Sequence, residues 1–157
     1  MAGLLNSPNM GAYNVSKHAV VSLSETLYQD LALVTDQVHA SVLCPYFVPT
    51  GIHMSHRNRP AELCSEEKPT PSQMIAQAMM TKAVTSGTVT ADEVAQLVYD
   101  GIEAGRFYIY THPKALRMVQ TRLEDVLQGR NPSDPFLGKP EIGEQLRTAL
   151  RDSIAAS

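Results

Sequence analysis

Tyr13 and Lys17 are the residues of this 157-residue chain whose types and spacing could do chemistry. They lie four positions apart, so on a helix their side chains share one face. The pKa of a free phenol is about 10, which is too high for proton transfer near neutrality. A neighbouring ammonium favours the phenolate and lowers that pKa. The pair could therefore give a proton to a substrate oxygen or take one from it.

The same spacing also arises by chance. The six tyrosines and the lysines of this chain give about 0.2 such pairs at random, so the motif alone is weak. A tyrosine packed on a helix beside a solvated lysine is the structural alternative, and the spacing by itself favours it. The elements around the pair have to decide between the two interpretations.

Those elements predict an α/β fold. Apolar residues recur at helical spacing from Asn9 to Val34 and predict a long helix. The β-branched run Val38–Cys44 and the aromatic run Arg106–Thr111 predict two strands. Further helices are expected at about 72–84, 91–104, 113–128 and 141–155. Because a two-stranded parallel sheet is too small to stand alone, the chain is predicted to supply part of a larger sheet.

Turn chemistry predicts where several of these helices begin and end. Thr90 and Glu93 form the pattern of a capping box at the start of one helix. Gly105 and Gly129 are placed to end two helices in the left-handed conformation. Pro113 suits the first position of another helix, since its missing N–H is not needed there.

The segment Val48–Pro71 holds four prolines and little periodicity, which predicts a long loop. Long loops in compact domains tend to be lids or binding segments. His53 and His56 lie in this loop, but no carboxylate or cysteine stands at a fitting spacing, so no metal site is predicted.

Composition describes an ordinary globular protein, with 43% hydrophobic and 18% charged residues. The net charge of -3 and the lack of a basic cluster argue against a nucleic-acid partner. No apolar run approaches the roughly 20 residues of a membrane span, so no membrane partner is expected. Two cysteines, Cys44 and Cys64, make no disulfide framework, and no signal peptide is evident. A reduced, cytoplasmic protein is predicted.

The order of these features resembles the C-terminal half of the short-chain dehydrogenase/reductase family. The resemblance is carried by the run Tyr13–Val20, the long helix, the buried strand and the segment Cys44–Ile52. It implies the C-terminal portion of a Rossmann-like, doubly wound parallel sheet whose N-terminal nucleotide-binding half is missing from this chain. It also implies NAD or NADP as cofactor and hydride transfer between the nicotinamide and a carbonyl or alcohol carbon of a small-molecule substrate.

The resemblance assigns roles to the opening pair. Tyr13 is implied to be the catalytic acid/base, and Lys17 is implied to lower the pKa of that phenol and to hydrogen-bond the nicotinamide ribose. Both residues are therefore catalytic and cofactor-binding positions. The surrounding elements, and not the spacing alone, make this pair the predicted active site.

The resemblance also assigns cofactor contacts after the first strand. The family motif Pro-Gly-x-Val/Ile-x-Thr is matched at Pro45, Val48 and Thr50, which are implied to bind the nicotinamide end of the cofactor. Tyr46 stands where the family has glycine, and its Cβ and ring could change how closely the backbone passes the nicotinamide.

By the same resemblance, residues 1–129 form the domain, with a substrate lid at 48–84 and the last strand at about 106–111. Residues 130–157 form a C-terminal extension. The helix at about 9–34 is implied to be part of a homo-oligomer interface.

Three parts of the family pattern are not found in these 157 residues: the glycine-rich turn for the pyrophosphate, the asparagine motif, and a serine about a dozen residues before Tyr13. The hypothesis that follows is a chain that begins inside a longer gene product. The alternative function is a truncated, non-catalytic fragment that acts at most in oligomerisation or structure. A stand-alone helical binding module is disfavoured, because the two strands need neighbours.

Overall fold

The computed structural model describes residues 1–64 and 68–155, which form two compact units. Unit 1 comprises Met1–Tyr46 and Val89–Pro135, and unit 2 comprises Phe47–Thr88 and Phe136–Ser157. The domain boundary predicted at 129/130 stays a prediction, because the units are drawn from contacts within this chain and divide it differently. The predicted lid at 48–84 belongs to unit 2, and its residues 65–67 lie outside the described part of the chain.

The described residues contain five α-helices and two β-strands. In chain order the elements are α1 (Gly11–Val34), β1 (Val42–Cys44), α2 (Pro71–Thr85), α3 (Ala91–Glu103), β2 (Tyr108–Tyr110), α4 (Leu116–Leu127) and α5 (Pro140–Ala155). Short 3-10 helices lie at Gly51–Asn58, Ala61–Leu63 and Pro113–Ala115. All five predicted helices are therefore found, within a few residues of their expected bounds. No helix of the described chain is long and apolar enough to cross a lipid bilayer.

The two strands of unit 1 form a parallel pair in which Leu43 lies opposite Ile109. Both strands were expected, but each is shorter than its apolar run. At one end, the Ser41 hydroxyl donates to the carbonyl of Arg106 at 2.9 Å, so a side-chain hydrogen bond joins the two segments beyond the last strand pair. At the other end, the Tyr46 N–H, which would donate to a backbone carbonyl in a longer ladder, donates to Thr111 Oγ1 at 3.1 Å. Beyond both ends of the ladder, side-chain hydrogen bonds thus join the two segments.

Helix α1 begins two residues later than expected. Asn9 has φ 60°, a left-handed conformation that ends the preceding turn and cannot belong to a right-handed helix. Val21 of α1 lies in a buried cluster with Met1, Val42 and Cys44. Gly3 allows the N-terminal segment to lie against α1, because a Cβ there would come within 2.7 Å of the Lys17 carbonyl oxygen. Met1 and Val21 are therefore packed against β1, the strand that precedes Pro45.

The helix ends predicted at Thr90, Gly105 and Gly129 are confirmed, and the helix start predicted at Pro113 is corrected. The Thr90 hydroxyl accepts from the Glu93 N–H at 3.2 Å, and the Glu93 carboxylate accepts from the Thr90 N–H at 2.7 Å. Gly105 and Gly129 have φ of 63° and 62°, the left-handed terminators expected. Pro113 begins a 3-10 turn that leads into α4, rather than α4 itself. Local chemistry sets these boundaries.

Unit 2 is more ordered than the sequence predicts. The expected loop before α2 contains the two 3-10 helices Gly51–Asn58 and Ala61–Leu63. The first of them is tied to α2, because the Gln77 amide donates to the His53 carbonyl at 2.6 Å. A second capping box, Thr70 with Gln73, starts α2. The expectation of a long loop was therefore wrong in part.

Asp125 makes the stability of unit 1 depend on pH. The residue is buried, and its carboxylate accepts from the Ser133 N–H at 2.9 Å and from Arg130 Nε at 3.0 Å. These hydrogen bonds hold the pKa of Asp125 below its ordinary value, and the bonds from Ser133 have the largest effect. Because the folded pKa is lowered, the stabilisation is present above the ordinary pKa and is lost as the pH falls through the folded value.

We expect Asp125→Asn to lower the free energy of unfolding at neutral pH, and this difference from wild type to shrink as the pH falls below about 4. Chemical denaturation at several pH values measures it. Asp30→Asn, at an exposed position of α1, is the matched control and should change little. A difference between Asp125→Asn and wild type that stays constant into acid would contradict this account.

Candidate active site

The first turns of α1 present Tyr13 and Lys17 on one exposed face. Tyr13 is 36% exposed, and Lys17 Nζ lies 5.4 Å from the centre of its ring. An ammonium at this distance is attracted to the ring face. Among the described residues, neither the phenol O–H nor the ammonium has a hydrogen-bond partner. Both groups are therefore free to bind a ligand.

Asn14 and His18 anchor the same turns on the neighbouring face of α1. The Asn14 amide donates to the Ser7 carbonyl at 2.9 Å, and His18 Nδ1 donates to the Asn14 carbonyl at 2.9 Å. Asn14 Oδ1 and His18 Nε2 are buried without a partner among the described residues. Together with residues 6, 11 and 15 they line a shallow cavity of about 440 Å³.

The helical periodicity of the sequence identified neither Asn14 nor His18 as a site residue. Asn14 is buried and His18 is half-buried. Both face the loop before α1, whose packing is not visible in the helical periodicity. One signal could have found them: they repeat the spacing of Tyr13 and Lys17 one position later in the chain.

Pro45 directly follows β1, where polar groups hold its peptide bond to Tyr46. The Met1 ammonium donates to the Pro45 carbonyl, and the Tyr46 N–H donates to Thr111 Oγ1 at 3.1 Å. Burial lowers the pKa of the Met1 ammonium. Among the described non-glycine residues only Asn9 has a positive φ, so the backbone at Tyr46 does not need the glycine of the family.

Val48 and Thr50 belong to unit 2. The Thr50 hydroxyl accepts from the Ile52 N–H at 3.4 Å and so starts the 3-10 helix Gly51–Asn58. Gly87 lets the segment around Val48 pack closely, because a Cβ on Gly87 would lie 2.6 Å from the Phe47 carbonyl oxygen. The structure thus brings Tyr13 and Lys17 together, places Pro45 in the same unit, and places Val48 and Thr50 in the other.

The other histidine and cysteine candidates have local structural roles or form no site. His53 Nδ1 donates to the Thr50 carbonyl at 3.1 Å, which ties it to its own turn. Within residues 1–64 and 68–155, no three His, Cys, Asp or Glu side chains could together hold a metal ion. Cys44 is buried and Cys64 exposed, and neither forms a disulfide.

Known proteins are similar to this chain in both sequence and fold. A solved short-chain dehydrogenase/reductase from Burkholderia phymatum, in complex with NAD, is 52% identical, with a TM-score of 0.83 over 85% of this chain and 48% of its own. The chain belongs to the short-chain dehydrogenase/reductase family. This confirms the resemblance read from Tyr13–Val20 and Cys44–Ile52, and it confirms the expected Rossmann-like α/β class. No general family model matches the chain.

Two curated proteins are also similar. A CLA biosynthesis dehydrogenase/reductase of Lactiplantibacillus plantarum is 29% identical over 84% of this chain and 47% of its own length. A 3-dehydrosphinganine reductase of Arabidopsis thaliana is 30% identical over 71% of this chain and 28% of its own length. The chain therefore spans about half the length, or less, of these three relatives.

Proposed function

We propose that the protein is an NAD(P)-dependent oxidoreductase that moves hydride between a nicotinamide and a carbonyl or alcohol carbon. The observation that carries this proposal is the exposed Tyr13–Lys17 pair, whose phenol and ammonium are unpartnered among the described residues. Support comes from the solved relative in complex with NAD and from two relatives named as reductases or dehydrogenases.

The groups of the site fit the nicotinamide end of such a cofactor. The ammonium of Lys17 and the phenol of Tyr13 are exposed donors on one helix face, which suits the hydroxyls of a ribose. Pro45, Val48 and Thr50 would hold the nicotinamide, by their place in the family motif. When bound, the cofactor supplies or accepts the hydride.

Tyr13 would donate the proton in reduction and accept it in oxidation. In reduction its O–H donates to the substrate oxygen as the carbonyl carbon receives hydride, and the phenolate left behind takes a proton from solvent. In oxidation the phenolate accepts the proton of the alcohol. Lys17 would stabilise that phenolate, since an adjacent positive charge favours the anionic form.

The proposal is tested by following oxidation of NADH and NADPH by the purified protein, expressed from its own gene, with a panel of aldehydes and ketones. Carbonyl-dependent oxidation of either cofactor is expected. A folded protein that oxidises neither with any carbonyl would contradict the proposal.

We also propose a homo-oligomer formed through α1. Four apolar residues that are 49–79% exposed lie within one narrow stripe of this helix: Val20, Leu23, Leu27 and Val34. Exposed apolar surface of this kind usually marks an interface. In a two-fold symmetric dimer, the stripe would pack against the same stripe of a second copy of the chain. We further propose that the protein is cytoplasmic, because both of its cysteines are free thiols, as is usual in a reducing compartment.

We expect sedimentation equilibrium to give an oligomeric mass for the wild type and a lower mass for Leu23→Glu, because a charge in the stripe must be desolvated on association. Leu127→Glu, at an exposed apolar position of α4, is the control and should keep the wild-type mass. A monomeric wild type, or an unchanged mass in Leu23→Glu, would refute this interface.

The stripe also favours a second candidate function: a non-catalytic piece that assembles with other chains. The chain spans at most 48% of the lengths of the relatives described above, and four apolar side chains of α1 are uncovered. This candidate predicts association without cofactor turnover. The carbonyl assay therefore separates the two functions.

A further inference from the structure

The peptide group between Pro45 and Tyr46 is held at both of its polar atoms. Its carbonyl accepts from the Met1 ammonium, and its N–H donates to Thr111 Oγ1 at 3.1 Å. Since the backbone ladder ends at Cys44 and Tyr110, the Thr111 hydroxyl adds one more bond between the carboxyl ends of the two strands. The orientation of this peptide plane is therefore set by the Met1 ammonium and the Thr111 side chain rather than by the sheet.

The Thr111 hydroxyl is itself oriented by its neighbour. Thr111 is 7% exposed, and its Oγ1 lies 2.7 Å from His112 Nδ1. Because the Tyr46 N–H already donates to this oxygen, the hydroxyl proton is directed to Nδ1 when that nitrogen carries the lone pair. Two hydrogen bonds in series polarise and strengthen one another.

The ring of Tyr46 completes the arrangement. It contacts the His112 ring edge to face, with centroids 5.6 Å apart and planes at 62°. A glycine at position 46, as in the family motif, would have no ring to make this contact. Tyr46 therefore touches both of the residues at the end of β2, through its N–H and through its ring.

We infer that Thr111 and His112 are positioning residues that fix the Pro45–Tyr46 peptide, with the Tyr46 ring as the contact that replaces glycine. The inference rests on the proposed function in assigning the segment that begins at this peptide to the nicotinamide. Neither residue is given a contact with substrate or with reacting atoms. Their role is to set the direction in which the chain leaves β1.

Amide hydrogen exchange measured by NMR on the 157-residue chain tests this role. In Thr111→Val, which keeps the side-chain shape and removes the acceptor, we expect the Tyr46 amide to exchange about fivefold faster. The Val42 amide, bonded to the Phe107 carbonyl at 2.7 Å at the other end of the ladder, should keep its rate. Thr111→Ser, which retains the hydroxyl, should restore slow exchange at Tyr46.

Thr121→Val is the matched control, since the Thr121 hydroxyl only bonds the Arg117 carbonyl within α4. It should leave the Tyr46 rate unchanged. If Thr111→Val does not fold, His112→Phe replaces it, because phenylalanine keeps a ring and removes Nδ1. Faster exchange at Tyr46 with an unchanged rate at Val42 is again expected.

An unchanged Tyr46 rate in the folded variant, an equal acceleration at Val42, or no rescue by Thr111→Ser would overturn the inference. The measurement uses neither cofactor nor substrate. Lack of turnover in the carbonyl assay would therefore refute the proposed function and leave the exchange result standing.

Discussion

Replacing Tyr13 with phenylalanine is expected to lower turnover by about 10²- to 10⁴-fold, the usual contribution of a positioned acid or base. Phenylalanine keeps the ring beside Lys17 Nζ and removes only the O–H that would carry the proton. Binding of the nicotinamide cofactor should be largely retained, because the ammonium and the loop after β1 are unchanged. Initial rates and fluorescence titration with NADH or NADPH measure the two effects separately.

The matched control for this substitution is Tyr99→Phe. Tyr99 is an exposed tyrosine of α3 for which the described part of the chain shows no hydrogen bond from its hydroxyl. Its loss of the same O–H should leave turnover within about twofold of wild type, as is usual for surface substitutions. Turnover retained in Tyr13→Phe would refute its assignment as the acid/base.

Lys17→Met is expected to affect both the chemical step and cofactor binding. Removing the ammonium takes away the charge that stabilises the phenolate of Tyr13 and the donor proposed for the ribose. A hydrogen bond from a charged group contributes enough that its loss should weaken cofactor binding about 10- to 100-fold. Turnover at saturating cofactor should fall as well. Titration and steady-state kinetics distinguish this variant from Tyr13→Phe, which should retain binding.

Lys114→Met is the control for charge removal, since Lys114 is exposed in the 3-10 turn before α4. It should bind cofactor and turn over as wild type does. If Lys17→Met instead binds cofactor with wild-type affinity, the proposed contact with the ribose is wrong. If its turnover is also unchanged, the pair has no catalytic role.

Local chemistry made much of the fold predictable. The Thr90–Glu93 capping box and the left-handed Gly105 and Gly129 fix helix ends through atoms a few residues apart. The shared face of Tyr13 and Lys17 follows from helical spacing alone. These features need no information from distant parts of the chain.

Distant contacts account for what the sequence did not predict. Ser41 bonds the Arg106 carbonyl, and Tyr46 bonds Thr111, in each case across 65 residues. Such side-chain bonds join the two segments where the backbone ladder ends, and no periodic pattern in the sequence predicts them. The 3-10 helices before α2 were missed for a related reason, since they lack a repeating apolar face and depend on contacts such as that of Gln77 with His53.

The most direct test of the central claim follows deuterium from the cofactor. The protein, expressed from its own gene, is incubated with a carbonyl substrate and a nicotinamide cofactor deuterated at the transferring carbon, and the product is examined by mass spectrometry and NMR. The account predicts one deuterium on the carbinol carbon, formed by wild type and lost in Tyr13→Phe. A folded wild-type protein that yields no deuterated alcohol, or a Tyr13→Phe variant that yields it at the wild-type rate, would contradict the account.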